Sequence, residues 1–313
     1  MKPVLVLVTL DVHPVPNIGA YVVAALEGMR LLGIRATLFF TTTVLEAHRD
    51  LALRAIDEGH QIGAHGLLHN AGAAGPIPPE RYDALSECDQ RLFLTQSTER
   101  NYQALGRDIG VFRAPSFGIS GATVRVLEEL GYRADLSVNS QRLDLLMSKP
   151  FVSNHFLAPR LPYHPSHGSP FRRGNASLLE IPLSAAVFPF AVMTLMGLGL
   201  LPMKFLYRLL RAESRLTGKP IVYMGHPEEF SDHAASYAFP SNGLSWRDFL
   251  PRPHEGIRAR KVLLLRDPRR LNRDSLELFE YMAKFEDVSF VTVEDYLALR
   301  SATSSKRGRL RVL

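Results

Sequence analysis

Val4-Leu5-Val6-Leu7-Val8-Thr9-Leu10-Asp11-Val12-His13 is the stretch on which the fold turns. A short apolar, valine-rich run that ends abruptly in an acid reads as a buried strand, Val4–Asp11, carrying a carboxylate at its C-terminal end. The run is too short for a secretory core and meets Asp11 without a small-residue cleavage site, so the sequence predicts a cytoplasmic protein. Outward from it, strand-like and helical patterns alternate. Helix is expected over Ile18–Leu32, strand over Ala36–Thr41, helix over Leu45–Glu58 and strand over Gln61–His65. After the loop Gly72–Pro79, the pattern predicts a helix over Glu80–Leu105, a strand over Ile109–Pro115, a helix over Gly121–Leu130 and a strand over Tyr132–Val138. Later strands are expected at Leu178–Leu183, Pro220–His226 and Val288–Val293, with a helix over Asp274–Lys284. About eight strands alternating with helices imply a parallel sheet, and that number is enough to close a barrel.

With 46% hydrophobic and 22% charged residues in 313, the chain can bury a large core. No linker or repeat divides it, so residues 1–300 read as one domain and 301–313 as a basic C-terminal tail. Its single cysteine, Cys88, excludes an internal disulfide and fits a reducing compartment; the neighbouring pattern predicts a helix and a buried, inert thiol. The net charge of +6 comes partly from Lys306, Arg307, Arg309 and Arg311 and from the basic stretch Arg252–Arg273. Solvated surface accounts for such runs, as would attraction to anionic headgroups or a phosphate-bearing substrate. No aromatic-interleaved basic stripe points to nucleic acid.

Several polar residues fall at the C-terminal ends of the expected strands, where parallel barrels place their chemistry. His65 and His69 are spaced to reach one metal ion from a single helical turn, although the same pair could be one core and one loop histidine. Arg113, before Ala-Pro-Ser-Phe117, is either a surface arginine before a proline-fixed turn or an inward guanidinium paired with Asp11. His226, after Ile221-Val-Tyr-Met-Gly225 and before Pro227-Glu228-Glu229, suits a general acid. His60 precedes its strand and reads as structural.

The order strand–Asp11, His65-x-x-x-His69, Arg113-x-Pro115-x-Phe117, Gly131-Tyr132-x-x-Asp135-x-Ser137, Glu180-Ile-Pro-Leu-Ser184 and Tyr223-x-x-His226-Pro227 resembles the polysaccharide deacetylase family, carbohydrate esterase family 4, over roughly Val4 to Leu297. The resemblance implies an α/β fold, a distorted (β/α) barrel with seven or eight mainly parallel strands. It also implies a divalent metal held by one Asp and two His, and metal-assisted removal of an acyl group, acetyl or formyl, from an amino sugar. Asp11 matches the family's general base, Arg113 its tether, His65 and His69 its metal ligands, and His226 the residue that protonates the leaving amine.

The departure is at the family's second acid, which binds metal: the adjacent position here is Val12 and the alternate one His13. Three accounts stand. His13 replaces the carboxylate in a three-histidine zinc site, Asp11 itself binds the metal, or the chain binds carbohydrate without metal or catalysis. A cyclic amide hydrolase is a further alternative.

On the substrate side, Ile181 to Met203 carries no charge, but Pro182, Pro189, Pro202, Gly197 and Gly199 argue against a continuous membrane span. The run reads as a strand plus core helix, or as a greasy lip over 181–215 touching a bilayer, with Lys204, Arg208, Arg211 and Arg215 for headgroups. A lipid-linked glycan would suit that surface. Phe117, together with Tyr163 and His164 in the long loop Asn154–Arg173, are the expected substrate contacts.

Overall fold

Residues 3–68, 81–141, 155–231, 245–246, 251–252, 256–257 and 270–309 are described in the computed structural model. The opening run forms strand β1 (Val4–Val12), buried along nearly its whole length, as expected for a strand covered on both faces. It is followed by α1 (Ile18–Leu31), β2 (Ala36–Phe40), α2 (Thr42–Ala47), α3 (Arg49–Asp57) and β3 (Gln61–Ala64). Next come α4 (Glu87–Leu105), β4 (Val111–Phe112), α5 (Gly121–Glu129), β5 (Ala134–Asp135), the hairpin of β6 (Pro165–Ser166) and β7 (Ser169–Arg173), and β8 (Leu179–Glu180). A second hairpin, β9 (Ala185–Ala186) and β10 (Phe188–Pro189), leads to α6 (Val192–Leu198), α7 (Leu200–Thr217) and β11 (Ile221–Gly225). The short pair β12 (Pro251–Arg252) and β13 (Gly256–Ile257), then α8 (Leu271–Ala283), β14 (Val288–Phe290) and α9 (Val293–Arg309), complete the order.

The main sheet runs β11-β1-β2-β3-β4-β5-β8, and β14 pairs with the start of β1. All of these pairings are parallel. Val8 lies opposite both Tyr223 and Ala36, so β1 is flanked on both edges. Between β8 and β11 the chain itself bridges the gap. Leu183 N–H donates to Val138 O (2.8 Å), Ser184 N–H to Val222 O (3.3 Å) and Met224 N–H to Phe190 O (3.2 Å). The result is the expected distorted barrel, with a hairpin in place of one regular staves' edge.

Side chains alternate along each strand, and two cores follow from that. Val4, Val6, Val8, Leu10 and Val12 face outward and pack with α1, α2, α3 and α7. Leu7 joins Phe39, Val111, Leu136, Ile181, Val222 and Val293 in the interior, with Leu5 packed against them. Each fully buried side chain of this size contributes about 1.5–3 kcal/mol.

Several expectations need correction. Leu45–Glu58 is two helices broken at His48, and α4 starts at Glu87, because Ser86 caps it by accepting the Asp89 N–H (3.1 Å). Cys88 is exposed in the first turn of α4 rather than buried. The uncharged run after Ile181 folds as the β9–β10 hairpin, α6 and the start of α7. No helix among the described residues is long and apolar enough to cross a membrane. The expected basic tail continues α9 to Arg309. The loop Gly72–Pro79 lies outside the described residues. His60 is structural, its Nδ1 accepting the Ala36 N–H (3.1 Å).

Candidate active site

Parity along β1 aims Thr9 and Asp11 into the barrel, and His13 follows on the same side. Arg113, one residue past β4, is wholly buried. Its Nη1 donates to Asp11 Oδ1 (2.7 Å), Nη2 to Thr9 Oγ1 (2.9 Å) and Nε to the Leu136 carbonyl (3.1 Å). Thr9 passes the chain on by donating to the Tyr223 carbonyl (2.6 Å). The Phe39 ring underlies the guanidinium, 4.6 Å from its carbon. That ring fits only because β3 carries Gly63, where a Cβ would sit 2.5 Å from it. Burial alone would raise the Asp11 pKa, but the Arg113 guanidinium, then His65 and His226, bring it down to about 2. The second reading of Arg113 is therefore correct: it is an inward guanidinium that keeps Asp11 ionised.

His65 follows β3 and is buried. Its Nδ1 lies 2.9 Å from the Arg113 carbonyl, which can only accept. Nδ1 therefore carries a proton and donates it to that carbonyl, the ring setting typical of a metal-ligating histidine. His226 follows β11; its Nδ1 is buried and has no hydrogen-bond partner among the described residues. The His226 ring meets His13 edge to face, with centroids 5.1 Å apart. His13 Nε2 is 4.0 Å from Glu228 Oε1. Burial raises the Glu228 pKa, opposed by His226. Behind them Glu229 is pushed up to about 8 by burial, although Tyr223 (2.7 Å) and Ser275 (3.0 Å) donate to it.

The ends of β1, β3, β4 and β11 thus bring Asp11, His65, Arg113 and His226 to one place. His13 sits with His226 and Glu228 at its edge. His69 lies outside the described residues, and among those described no three His, Cys, Asp or Glu side chains are gathered to hold a metal. The residue types present nonetheless suit a divalent cation: an ionised Asp11, His65 with its Nδ1 anchored on a carbonyl, and His13 following on the same side of the chain.

Phe117 packs against the interior cluster from the turn after Pro115, a setting compatible with a ligand wall. Tyr163 and His164 immediately precede β6. Tyr163 is buried, with its hydroxyl bonded to the Pro170 carbonyl, and His164 Nδ1 lies 3.0 Å from the Leu178 carbonyl. Their hairpin packs on α5, where Arg125 donates to the His167 carbonyl (2.6 Å) and His167 meets Glu128 (2.6 Å).

Four contributors have no role assigned in the sequence reading. Strand parity alone could have flagged Thr9. Phe39 gives no local signal, because its contact with Arg113 is long-range. Asp135 and Glu180 form a buried carboxyl pair on β5 and β8. Burial raises both, Asp135 to about 6 and Glu180 further because of the neighbouring Asp135 charge. Ser137 donates to Asp135 and accepts the Ala114 N–H (2.8 Å), while Val138 N–H donates to Glu180 (3.0 Å). The pair thereby fixes the backbone that follows Arg113.

Residues 1–134 match the family described as polysaccharide deacetylase. No curated protein matches the chain. Among solved structures, a Mycobacterium smegmatis protein assigned to the polysaccharide deacetylases aligns at 18% identity over 97% of this chain and 92% of its own, with a TM-score of 0.60. A peptidoglycan deacetylase from Bacillus subtilis aligns at 10% identity over 99% and 97%, with a TM-score of 0.49. A family 4 carbohydrate esterase from Streptomyces lividans, in complex with acetate, aligns at 18% over 45% and 66%, with a TM-score of 0.37. At these identities the first of these shows a shared fold.

Proposed function

We propose that this chain, whose first 134 residues match the polysaccharide deacetylases, removes an N-acyl group, acetyl or formyl, from an amino sugar by hydrolysis. The observation that carries the reading is the buried Asp11–Arg113 pair at the barrel mouth, flanked by His65 and His226. Arg113 occupies one oxygen of Asp11 and fixes the carboxylate plane, so the other oxygen is positioned to take a proton from an attacking water. With its pKa near 2, Asp11 is fully ionised at neutral pH but is a weak base, and it needs an already acidic water. His65, with His13 and His69, would hold a divalent cation such as zinc, which when bound supplies Lewis acidity to water and to the amide carbonyl. His226 would hand a proton to the departing amine, its buried Nδ1 being uncommitted among the described residues. Phe117 would wall the acyl side and exclude water. The exposed apolar side chains Leu201 and Phe205 on α7 support a lipid-linked form of the sugar.

A second reading, a carbohydrate-binding relative without catalysis, is favoured by Val12 and His13 standing where the family resemblance calls for a second acid. Acetate and formate release from a panel of N-acylated amino sugars, with zinc supplied, separates the two. Asp11→Asn should lower turnover at least about 100-fold. Glycan binding with no release by the parent across the panel would reject the hydrolase.

A further inference from the structure

The helix α7 is apolar on two sides. Met203, Leu206, Tyr207 and Leu210 enter the core, which is ordinary for a barrel helix. On the outward side Leu201 is 78% exposed, Phe205 63%, and Leu209 is also exposed, at successive four-residue steps along one face. An exposed apolar stripe rimmed by charged side chains marks an interaction surface. The neighbouring hairpin adds to this surface, because α7 packs on β9 and the tip places Val187 and Phe188 in solvent. Val187 has φ +69°, a backbone conformation that β-branched residues rarely adopt. That turn holds an apolar side chain outward rather than folding it into the core.

This surface lies at the same end of the barrel as the candidate site. Helix α7 descends into β11, whose far end carries His226, so Leu201 and Phe205 belong to the mouth side. The β9–β10 hairpin leaves after β8 and returns to β11 beside Met224. Helix α8 begins on the same side for the same reason, since it descends into β14 and packs on α6 and α7. The charges here have one dominant sign. Residues 200–209 and 270–277 hold Lys204, Arg208, Arg270 and Arg273 against only Asp274 and Glu277. Lys204 is paired with Glu277 (2.7 Å) and Arg273 lies 3.6 Å from Asp274, while Arg208 donates to the Tyr281 hydroxyl.

We propose that the β9–β10 tip and the mouth-side half of α7 form a docking face for an anionic lipid bilayer. Val187, Phe188, Leu201 and Phe205 would enter the headgroup boundary, with the surplus cations meeting lipid phosphates. A second protein copy would explain the apolar stripe, but the cationic rim would then face itself across a two-fold axis. Docking in this way sets the barrel mouth at the membrane surface. The inference extends the proposed activity without resting on it, because the test reads binding and not turnover.

The full chain is sedimented with vesicles of phosphatidylcholine alone and with vesicles also containing phosphatidylglycerol. Binding is expected to the second and to fall as salt rises. Phe205→Asp should weaken it by about tenfold or more, the loss expected when one large apolar side chain no longer inserts. Leu216→Asp makes the same charge change at the far end of α7 and should leave binding within about twofold of the parent, since headgroup attraction fades within a Debye length. Circular dichroism and the unfolding midpoint confirm that both variants fold. No binding by the parent, equal losses from the two variants, or a parent dimer that Phe205→Asp dissociates would each overturn the proposal.

Discussion

Replacing Arg113 by Met should destabilise the protein, and removing the Asp11 charge as well should add little further loss. Arg113 is wholly buried and Asp11 nearly so, joined by a 2.7 Å hydrogen bond. Arg113→Met strands a carboxylate in the interior and should cost about 3–5 kcal/mol. Asp11→Asn strands the guanidinium, but Thr9, the Leu136 carbonyl and the Phe39 ring still receive it, so the cost should be smaller, about 2–3 kcal/mol. The drop in the Asp11 pKa from 3.8 to about 2, achieved against burial, corresponds to roughly 2.5 kcal/mol of favourable surroundings for the charge. The double variant should therefore cost less than the two singles added together, by about 2–4 kcal/mol. Urea unfolding of the four proteins at pH 7 measures the coupling. The sign can be checked in acid. A group with a lowered folded pKa stabilises above its unfolded value, so this term should be complete above about pH 4 and fade towards pH 2. Additivity to within about 0.5 kcal/mol at pH 7 would refute the view that each residue exists to neutralise the other.

Glu229, pushed up to about 8 from 4.5, holds its proton longer folded than unfolded, so stability should decline as pH rises between those values. Glu229→Gln should flatten that slope and unfold at a higher temperature than the parent at pH 8.5; equal slopes in thermal scans would count against it. His65→Ala should lower zinc retained after dialysis at least about tenfold, read by elemental analysis, and unchanged zinc would remove His65 from the ligand set. Gly63→Ala drives a methyl group into the Phe39 ring and should cost about 1–3 kcal/mol in unfolding experiments, while an unaltered midpoint would mean the ring is free to move.

How far the sequence could be read depended on the range of the interactions. Strand β1 was legible because its two buried faces make a long valine-rich run that closes on Asp11 at the C-terminal end. The last pairings of β4 and β5 were overestimated. Past Phe112 the backbone leaves the ladder, and Ala114 N–H turns to the Ser137 hydroxyl. The break at His48 and the late start of α4 are local capping events, and the Ser86 cap was visible in principle. Tyr163, an aromatic beside a histidine in a long loop, reads locally as a side chain open to a ligand. Its hydroxyl instead satisfies a carbonyl across its own hairpin, a partner that periodicity cannot reveal. The Asp135–Glu180 pair was visible as motif letters, but its meaning required two strands to be set side by side.

Arg113 serves the site at both of its ends: its side chain grips Asp11 and its carbonyl aligns His65. The proton acceptor and the neighbouring imidazole are therefore mounted on a single pivot. Any shift of that one peptide, whether from a changed loop at Ala114–Gly118 or from a pressing substrate, would swing the two groups together and preserve their mutual spacing. Adjusting one alone would require uncoupling the main chain from the guanidinium, so the inner machinery should tolerate small displacements as a unit while resisting piecemeal redesign.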